Sequence, residues 1–247
     1  SRKNKILRTM NFNQLYENLK DEMAFRISKE KLKKYFSSGD IHDVLDSVKK
    51  YKGRGFYDKI RLAQENEELI ELSMRVIKHK PRTIVEIGTW NGGTFYVWSR
   101  INPQAEKIIS IDLPDGQYGG GYDSMRIKFF KEFVSDRKNT SLHFIRGDSK
   151  SEDTVSKLKK ILGNDRIDFL YIDGDHSYEG IKKDFEIYSK FMAPDGLVGF
   201  HDINTFKEGY GVNRYWNEIK SKYKFEEFIK KDSRVMGNGL LYMGNNA

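Results

Sequence analysis

The chain has 247 residues, enough to bury one substantial core, and its 38% hydrophobic and 13% aromatic content suits a globular protein. It holds no cysteine, which excludes disulfides, thiolate metal sites and a thiol nucleophile, and its apolar runs are too short to span a bilayer. The formal charge of +8, from 44 Lys and Arg against 36 Asp and Glu, is spread through every expected helix, so a Lys-rich solvated surface is favoured over a nucleic-acid partner. No charged-then-apolar leader is visible, although a chain beginning with Ser is open to processing, and the lack of cysteine suits a cytoplasmic protein.

Residues 1–10 are basic and without period, as expected of a loose arm. From Asn11 the pattern turns helical: Asn11 and Gln14 form a capping-box pair, and Phe12, Leu15, Leu19, Met23 and Ile27 trace one apolar stripe. A second helix is expected over residues 28–36 and a third from an Asp40 cap to Tyr51. Such short amphipathic pieces cannot bury their apolar faces alone. Residues 1–58 are therefore expected to form a small helical extension that packs on the remainder, residues 59–247, or joins copies into a homo-oligomer.

After a break at residues 52–55, a helix is expected over residues 64–78, opening on Gln64, Glu65, Glu67 and Glu68. The β-branched run at residues 83–87 has the composition of a strand buried on both faces. Gly88 then permits a tight bend, and Gly92 and Gly93 remove side chains at the start of the next helix, where exposed N–H groups can meet a ligand. Neither a P-loop ending nor the G-x-G-x-x-G spacing is present. A second strand over residues 108–112 ends in Asp112, placed to hold a ribose diol, and a third over residues 141–146 is followed by Asp148. Asp148 suits either a helix N-cap or a ligand contact.

The loop over residues 113–122, with four glycines and two tyrosines, has the composition of a mobile flap beside Asp112. A helix over 123–135 and one over 151–162 flank the third strand. A fourth strand follows over 165–173, then a helix over 178–192, a turn at Pro194, Asp195 and Gly196, and a fifth strand over 197–201. A helix over 210–223 and a terminal antiparallel pair, 224–229 with 240–243, complete the chain. Strands alternating with helices give an α/β, doubly wound, mostly parallel seven-stranded sheet, with ligands expected at the carboxyl ends of the strands. The tips of strands four and five carry Asp173 and Asp202, and strands only about 4.8 Å apart can let two carboxylates share one oxygen-loving cation such as Mg²⁺.

Glu86-x-Gly88-x-x-x-Gly92 resembles motif I of class I S-adenosylmethionine-dependent methyltransferases, in which the loop passes the methionine half of the cofactor. The runs Asp173-Gly-Asp-His-Ser-Tyr-Glu-Gly and Pro194-Asp-Gly-Leu-Val-Gly-Phe-His-Asp-Ile are similar to those of the cephalosporin hydroxylase-type, rhamnosyl and macrolide-sugar O-methyltransferases, over residues 60–245. The resemblance implies a Rossmann-like methyltransferase with S-adenosylmethionine at Glu86, Gly88, Gly92, Asp112 and Asp148, and with Gln64 on the cofactor side. It also implies Asp173 as a Mg²⁺ ligand and His176 as the general base. The chain departs from the pattern beside Asp202, where His201 and Ile203 leave the third protein ligand as His201, Asn204 or none. Alternation along a strand points His201 to the other face from Asp202, as a supporting or core histidine.

The function expected is therefore O-methylation, Mg²⁺-assisted, of a hydroxyl on a sugar, glycolipid or other small polyol. A membrane span and a nucleic-acid substrate are disfavoured. An RNA methyltransferase and a non-catalytic cofactor-binding module are the alternatives. Against the first, strand four ends in Asp-Gly-Asp-His rather than an Asn-Pro-Pro-Tyr-like run. His176 as a helix-entry residue is the structural alternative to His176 as base.

Overall fold

The computed structural model describes residues 12–36, 39–114, 121–122, 124–231 and 235–246. The basic arm, Asn11 of the expected capping box and most of the glycine-tyrosine flap, including Tyr118, lie outside them. Five parallel strands come first in the chain: β1 (Thr83–Ile87), β2 (Lys107–Asp112), β3 (Ser141–Arg146), β4 (Ile167–Ile172) and β5 (Met192–His201). β6 (Tyr223–Phe228) and β7 (Asn238–Asn246) pair antiparallel, and β7 continues onto β5. The seven-stranded order is β3-β2-β1-β4-β5-β7-β6, as expected of a doubly wound Rossmann-like methyltransferase sheet. Strand order reverses between β1 and β4, and a crevice opens there at the carboxyl ends.

Burial follows the pleat. Ile84, Ile108, Phe169 and Tyr171 enter one apolar layer, and Val85, Ile109, Leu170 and Ile172 enter the other. Each fully buried side chain of this size contributes about 1.5–3 kcal/mol. The second layer is closed by α6 (Glu152–Leu162), α7 (Tyr178–Tyr188) and α8 (Val212–Ile219). The first is closed by α1 (Phe12–Lys33), α2 (Ile41–Lys50), α3 (Asn66–His79), α4 (Gly93–Ile101) and α5 (Ser124–Phe130). Among the described residues, no helix is long and apolar enough to cross a membrane.

Several expectations change. The two helices expected before residue 36 are one, because no glycine or proline interrupts residues 12–33. Its buried positions are Phe25, Ser28 and Leu32, while Leu15, Leu19 and Met23 of the expected stripe are exposed. Met23 and Phe25 lie about 200° apart on the helix, so the chosen stripe faces away from the body. Asp40 does cap α2, accepting from the N–H groups of His42 and Asp43. The Pro194 turn lies inside β5: Met192 pairs with Ile167, pairing resumes at Leu197 with Phe169, and the intervening residues make an irregularity that tolerates a proline without N–H.

Candidate active site

A cavity of about 490 Å³ occupies the crevice, and the strand-end loops, together with Arg61, Ala63 and Gln64 ahead of α3, line it. Gly88, at φ +87°, follows β1 directly; a Cβ there would overlap the carbonyl of Asp173 at the tip of β4. Gly93, the first residue of α4, is pressed against the carbonyl of Arg61 in the same way. Glycine is thus required by close backbone approach on both sides of the loop. Between them Trp90 takes a left-handed φ of 47°, and its N–H donates to Asp112 Oδ2, 2.6 Å away.

Asp112 lines the cavity where a ribose acid was expected, and burial raises its pKa to about 6 against the pull of backbone donors from Trp90, Leu113 and Thr89. Asp148 is exposed on the rim. It is not the helix cap: Ser151 caps α6, accepting from Thr154 N–H, and Asp148 Oδ1 accepts from Lys150 N–H at 2.9 Å. Glu86 and Gly92 do not line the cavity. Glu86 is fully buried beneath the loop, accepting from Trp98 Nε1 at 3.0 Å and Thr89 Oγ1 at 2.7 Å, and desolvation pushes its pKa to about 8. Gly92 is the N-cap of α4, with no room beside the Phe130 ring for a side chain.

The tips of β4 and β5 meet at the other end. Gln64 Nε2 donates to Asp173 Oδ2 at 2.7 Å, so Gln64 joins the acidic end rather than opening α3, which begins at Asn66. His201 Nδ1 lies 3.0 Å from Asp173 Oδ1 and 3.6 Å from Asp202 Oδ2. His176 Nδ1 lies 2.9 Å from Asp202 Oδ2, and its ring stacks on Tyr210 at 4.8 Å. His176 is not the helix cap, since Ser177 Oγ accepts from Gly180 N–H. Both histidines face the cavity. The period of two that would have turned His201 away fails because Asp202 has φ 62°, outside the strand region.

Burial opposes charge on both imidazoles, but the carboxylates outweigh it. The His176 pKa is raised through Asp202 and Asp173, and that of His201 is pushed up to about 10 by Asp173 and Asp202. Burial likewise opposes ionisation of Asp202, yet hydrogen bonds from His176, His201 and Thr205 hold it well below the usual carboxylate range.

Asp173, His201 and Asp202 each offer a ligand atom within 4.8 Å of the others. Ligands at right angles and about 2.1 Å from an octahedral ion stand about 3.0 Å apart; the 3.0 and 3.6 Å separations of His201 Nδ1 from the two carboxylates are near that value, and each carboxylate oxygen retains a further lone pair. His201 is the weakest member of the set. Its Nε2 is buried without a hydrogen-bond partner, whereas a metal-bound imidazole ordinarily passes its second N–H to an acceptor.

Several lining residues have no sequence signal. Arg61, Ala63 and Met236 reach the cavity from segments far away in sequence, and Trp90 does so through a backbone conformation that its residue type disfavours. Lys150 pairs with Asp175 at 3.0 Å, a contact across 25 residues that no local pattern marks.

Residues 85–203 match the model of a family described as a methyltransferase domain. Two uncharacterized proteins are similar: R132 of Acanthamoeba polyphaga mimivirus, 28% identical over 159 residues and 58% of this chain, and y4gI of Sinorhizobium fredii, 26% identical over 144 residues and 57% of this chain. The chain spans 65% and 15% of their lengths. Among solved structures, the O-methyltransferase TomG of Streptomyces achromogenes, in complex with SAM, is similar with TM-score 0.53, 16% identity and coverage of 87% of this chain and 90% of that one. The MycE methyltransferase of the mycinamycin pathway, in complex with Mg and SAH, gives TM-score 0.53 and 13% identity, with coverage of 85% and 56%. Residues 85–203 are thus similar to a methyltransferase domain, and the chain has the Rossmann-like fold of these methyltransferase structures.

Proposed function

We propose that this protein is an S-adenosylmethionine-dependent methyltransferase that acts on oxygen, moving the methyl group to a hydroxyl of a small-molecule or glycan acceptor such as a sugar, glycolipid or other polyol. The observation that carries the reading is the His176–Asp202 pair, 2.9 Å apart, facing the same cavity as Gly88 and Asp112. Asp202 holds the proton on Nδ1, which leaves Nε2 as the nitrogen that receives the acceptor's proton. As the acceptor oxygen forms its bond to the methyl carbon, the sulfur–methyl bond breaks and the sulfonium becomes a neutral thioether. The acceptor proton passes to His176 and then to solvent.

Asp112 takes the ribose diol, Gly88 allows the methionine half to lie against the loop, and Asp148 stands at the adenine side. Glu86 acts beneath the loop, and Gly92 at the start of α4, by fixing the loop's shape. Asp173 and Asp202, with His201 beside them, would hold Mg²⁺, which when bound lowers the pKa of an acceptor hydroxyl. The Mg in the MycE complex supports that role. The described part of the N-terminal extension, residues 12–36 and 39–58, serves as a cap on the sheet, with Phe25, Leu32, Ile41 and Val44 in the first apolar layer.

The test is transfer of labelled methyl from S-adenosylmethionine to a panel of nucleotide sugars, glycolipid extracts, catechols and total RNA, with and without EDTA. Label is expected on a sugar or polyol, suppressed by EDTA. Label on RNA alone overturns the acceptor class, and EDTA-resistant transfer removes Mg²⁺ from the reaction.

A further inference from the structure

The turn after Asp202 contains a residue that the reaction above does not use. Thr205 is buried at 7% exposure, and its hydroxyl has two partners. It accepts from the N–H of Met236 at 2.8 Å, so its own proton is directed to Asp202 Oδ1, 2.7 Å away. The opposite oxygen of the same carboxylate, Oδ2, meets His176 Nδ1 at 2.9 Å. One carboxylate is thus held from both ends, by Thr205 on one oxygen and His176 on the other. That matters because Asp202 has φ 62°, a conformation disfavoured for a residue with a side chain. The 202–205 turn is closed by Thr205 N–H donating to Asp202 O at 3.1 Å.

The segment that supplies Met236 is itself fixed from a distance. Asn204 N–H donates to Met236 O at 2.8 Å and Ile203 N–H to Gly237 O at 3.2 Å, knitting it to the turn. Glu68, 2% exposed on α3, accepts from the N–H groups of Lys230 and Gly237, both at 2.9 Å. A buried carboxylate on α3 therefore anchors the backbone whose N–H sets the direction of the Thr205 hydroxyl.

We infer that Thr205 is a positioning residue for the base: its hydroxyl, oriented by Met236 N–H and anchored through Glu68, fixes the rotation of the Asp202 carboxylate and so holds His176 in the Nδ1–H form. This rests on the reading of His176 as base. Thr205 touches neither cofactor nor acceptor in this account; it acts through Asp202. Serine can make both hydrogen bonds, and valine, of nearly the same shape, can make neither.

The experiment compares wild type, Thr205→Ser and Thr205→Val, each saturated with S-adenosylhomocysteine. Long-range ¹H–¹⁵N correlation of the imidazoles reports which nitrogen carries the proton, and the His176 signals are identified by their loss in His176→Asn. The expected result is one fixed Nδ1–H form for His176 in wild type and in Thr205→Ser, and loss of that single form in Thr205→Val with S-adenosylhomocysteine affinity unchanged. Methyl transfer to the acceptor labelled in the panel should fall about 10- to 100-fold in Thr205→Val and return in Thr205→Ser, as expected for loss of a hydrogen bond to a charged group. If Val at this position prevents folding, Thr205→Ala makes the same comparison. An unchanged His176 form in a folded variant lacking the hydroxyl overturns the inference. So does an equal loss of rate when the substitution is made in wild type and in a His176→Ala background. Failure of the base reading is a separate outcome: His176→Ala alone would then transfer methyl at the wild-type rate.

Discussion

Gly88→Ala places one methyl group at the crossing of β1 and β4, and its cost can be worked from the structure. At φ +87° a Cβ costs about 1–2 kcal/mol in backbone strain. The added atom would also overlap the carbonyl of Asp173, far inside the 3.0 Å that real Cβ atoms respect, and backbone on both sides prevents an easy escape. Overpacking of this kind costs about 1–3 kcal/mol more, so the total is about 2–5 kcal/mol. Against the stability of an ordinary domain, about 5–15 kcal/mol, the variant should fold but be visibly weakened. Gly163→Ala is the control, because Gly163 also has a positive φ, +61°, yet nothing lies within 4 Å of its Cβ, so only the strain should register. Urea unfolding measures both variants. Calorimetry with S-adenosylhomocysteine should show lost affinity only in Gly88→Ala, where the loop must move away from the tip of β4. Equal destabilisation of the two variants, with wild-type affinity in both, would refute the close-approach argument.

Asp112→Ala should weaken S-adenosylhomocysteine at least about 10-fold, since it removes a carboxylate from the cavity and releases Trp90 N–H; unchanged affinity by calorimetry would remove Asp112 from the ribose role. Glu86 offers a pH test. Its folded pKa of about 8 lies above the ordinary glutamate value of 4.5, so the folded state keeps a proton that the unfolded chain loses, and stability falls as pH rises between those values. Glu86→Gln, which carries no charge to desolvate, should therefore gain on wild type in unfolding free energy by up to about 1.4 kcal/mol per pH unit across that window. A difference between the two proteins that does not change with pH would mean that Glu86 is ionised in the folded state.

The parts of the site legible in the sequence sit at strand ends. Asp112, Asp173 and Asp202 each follow a short apolar run, so the strand pattern alone placed them at one edge of one sheet, and His176 follows Asp173 too closely to be elsewhere. What was not legible depends on rotation or on distance along the chain. The 22-residue α1 carries apolar residues on more than one side, and only contact with Tyr57 and the body selects Phe25, Ser28 and Leu32 over Leu15, Leu19 and Met23. His201 was turned the wrong way by a rule of alternation that ends where Asp202 leaves the strand conformation. Thr205 and Met236 meet across 31 residues, and Glu68 reaches Gly237 across 169, separations at which periodicity carries no information. Asp148 and Ser151 show a smaller version of the same problem. Both are good capping residues, and the choice between them is made by which backbone N–H groups the chain brings near.

The central claim is that His176, oriented by Asp202, removes the acceptor proton during methyl transfer. Single-turnover transfer of labelled methyl, with S-adenosylmethionine prebound to wild type and to His176→Ala, tests it most directly. The expected result is a chemical step about 10²–10⁴-fold slower in the variant at neutral pH, with S-adenosylhomocysteine affinity unchanged and a loss that shrinks as rising pH ionises the acceptor unaided. A variant that transfers methyl at the wild-type rate at neutral pH would contradict the account.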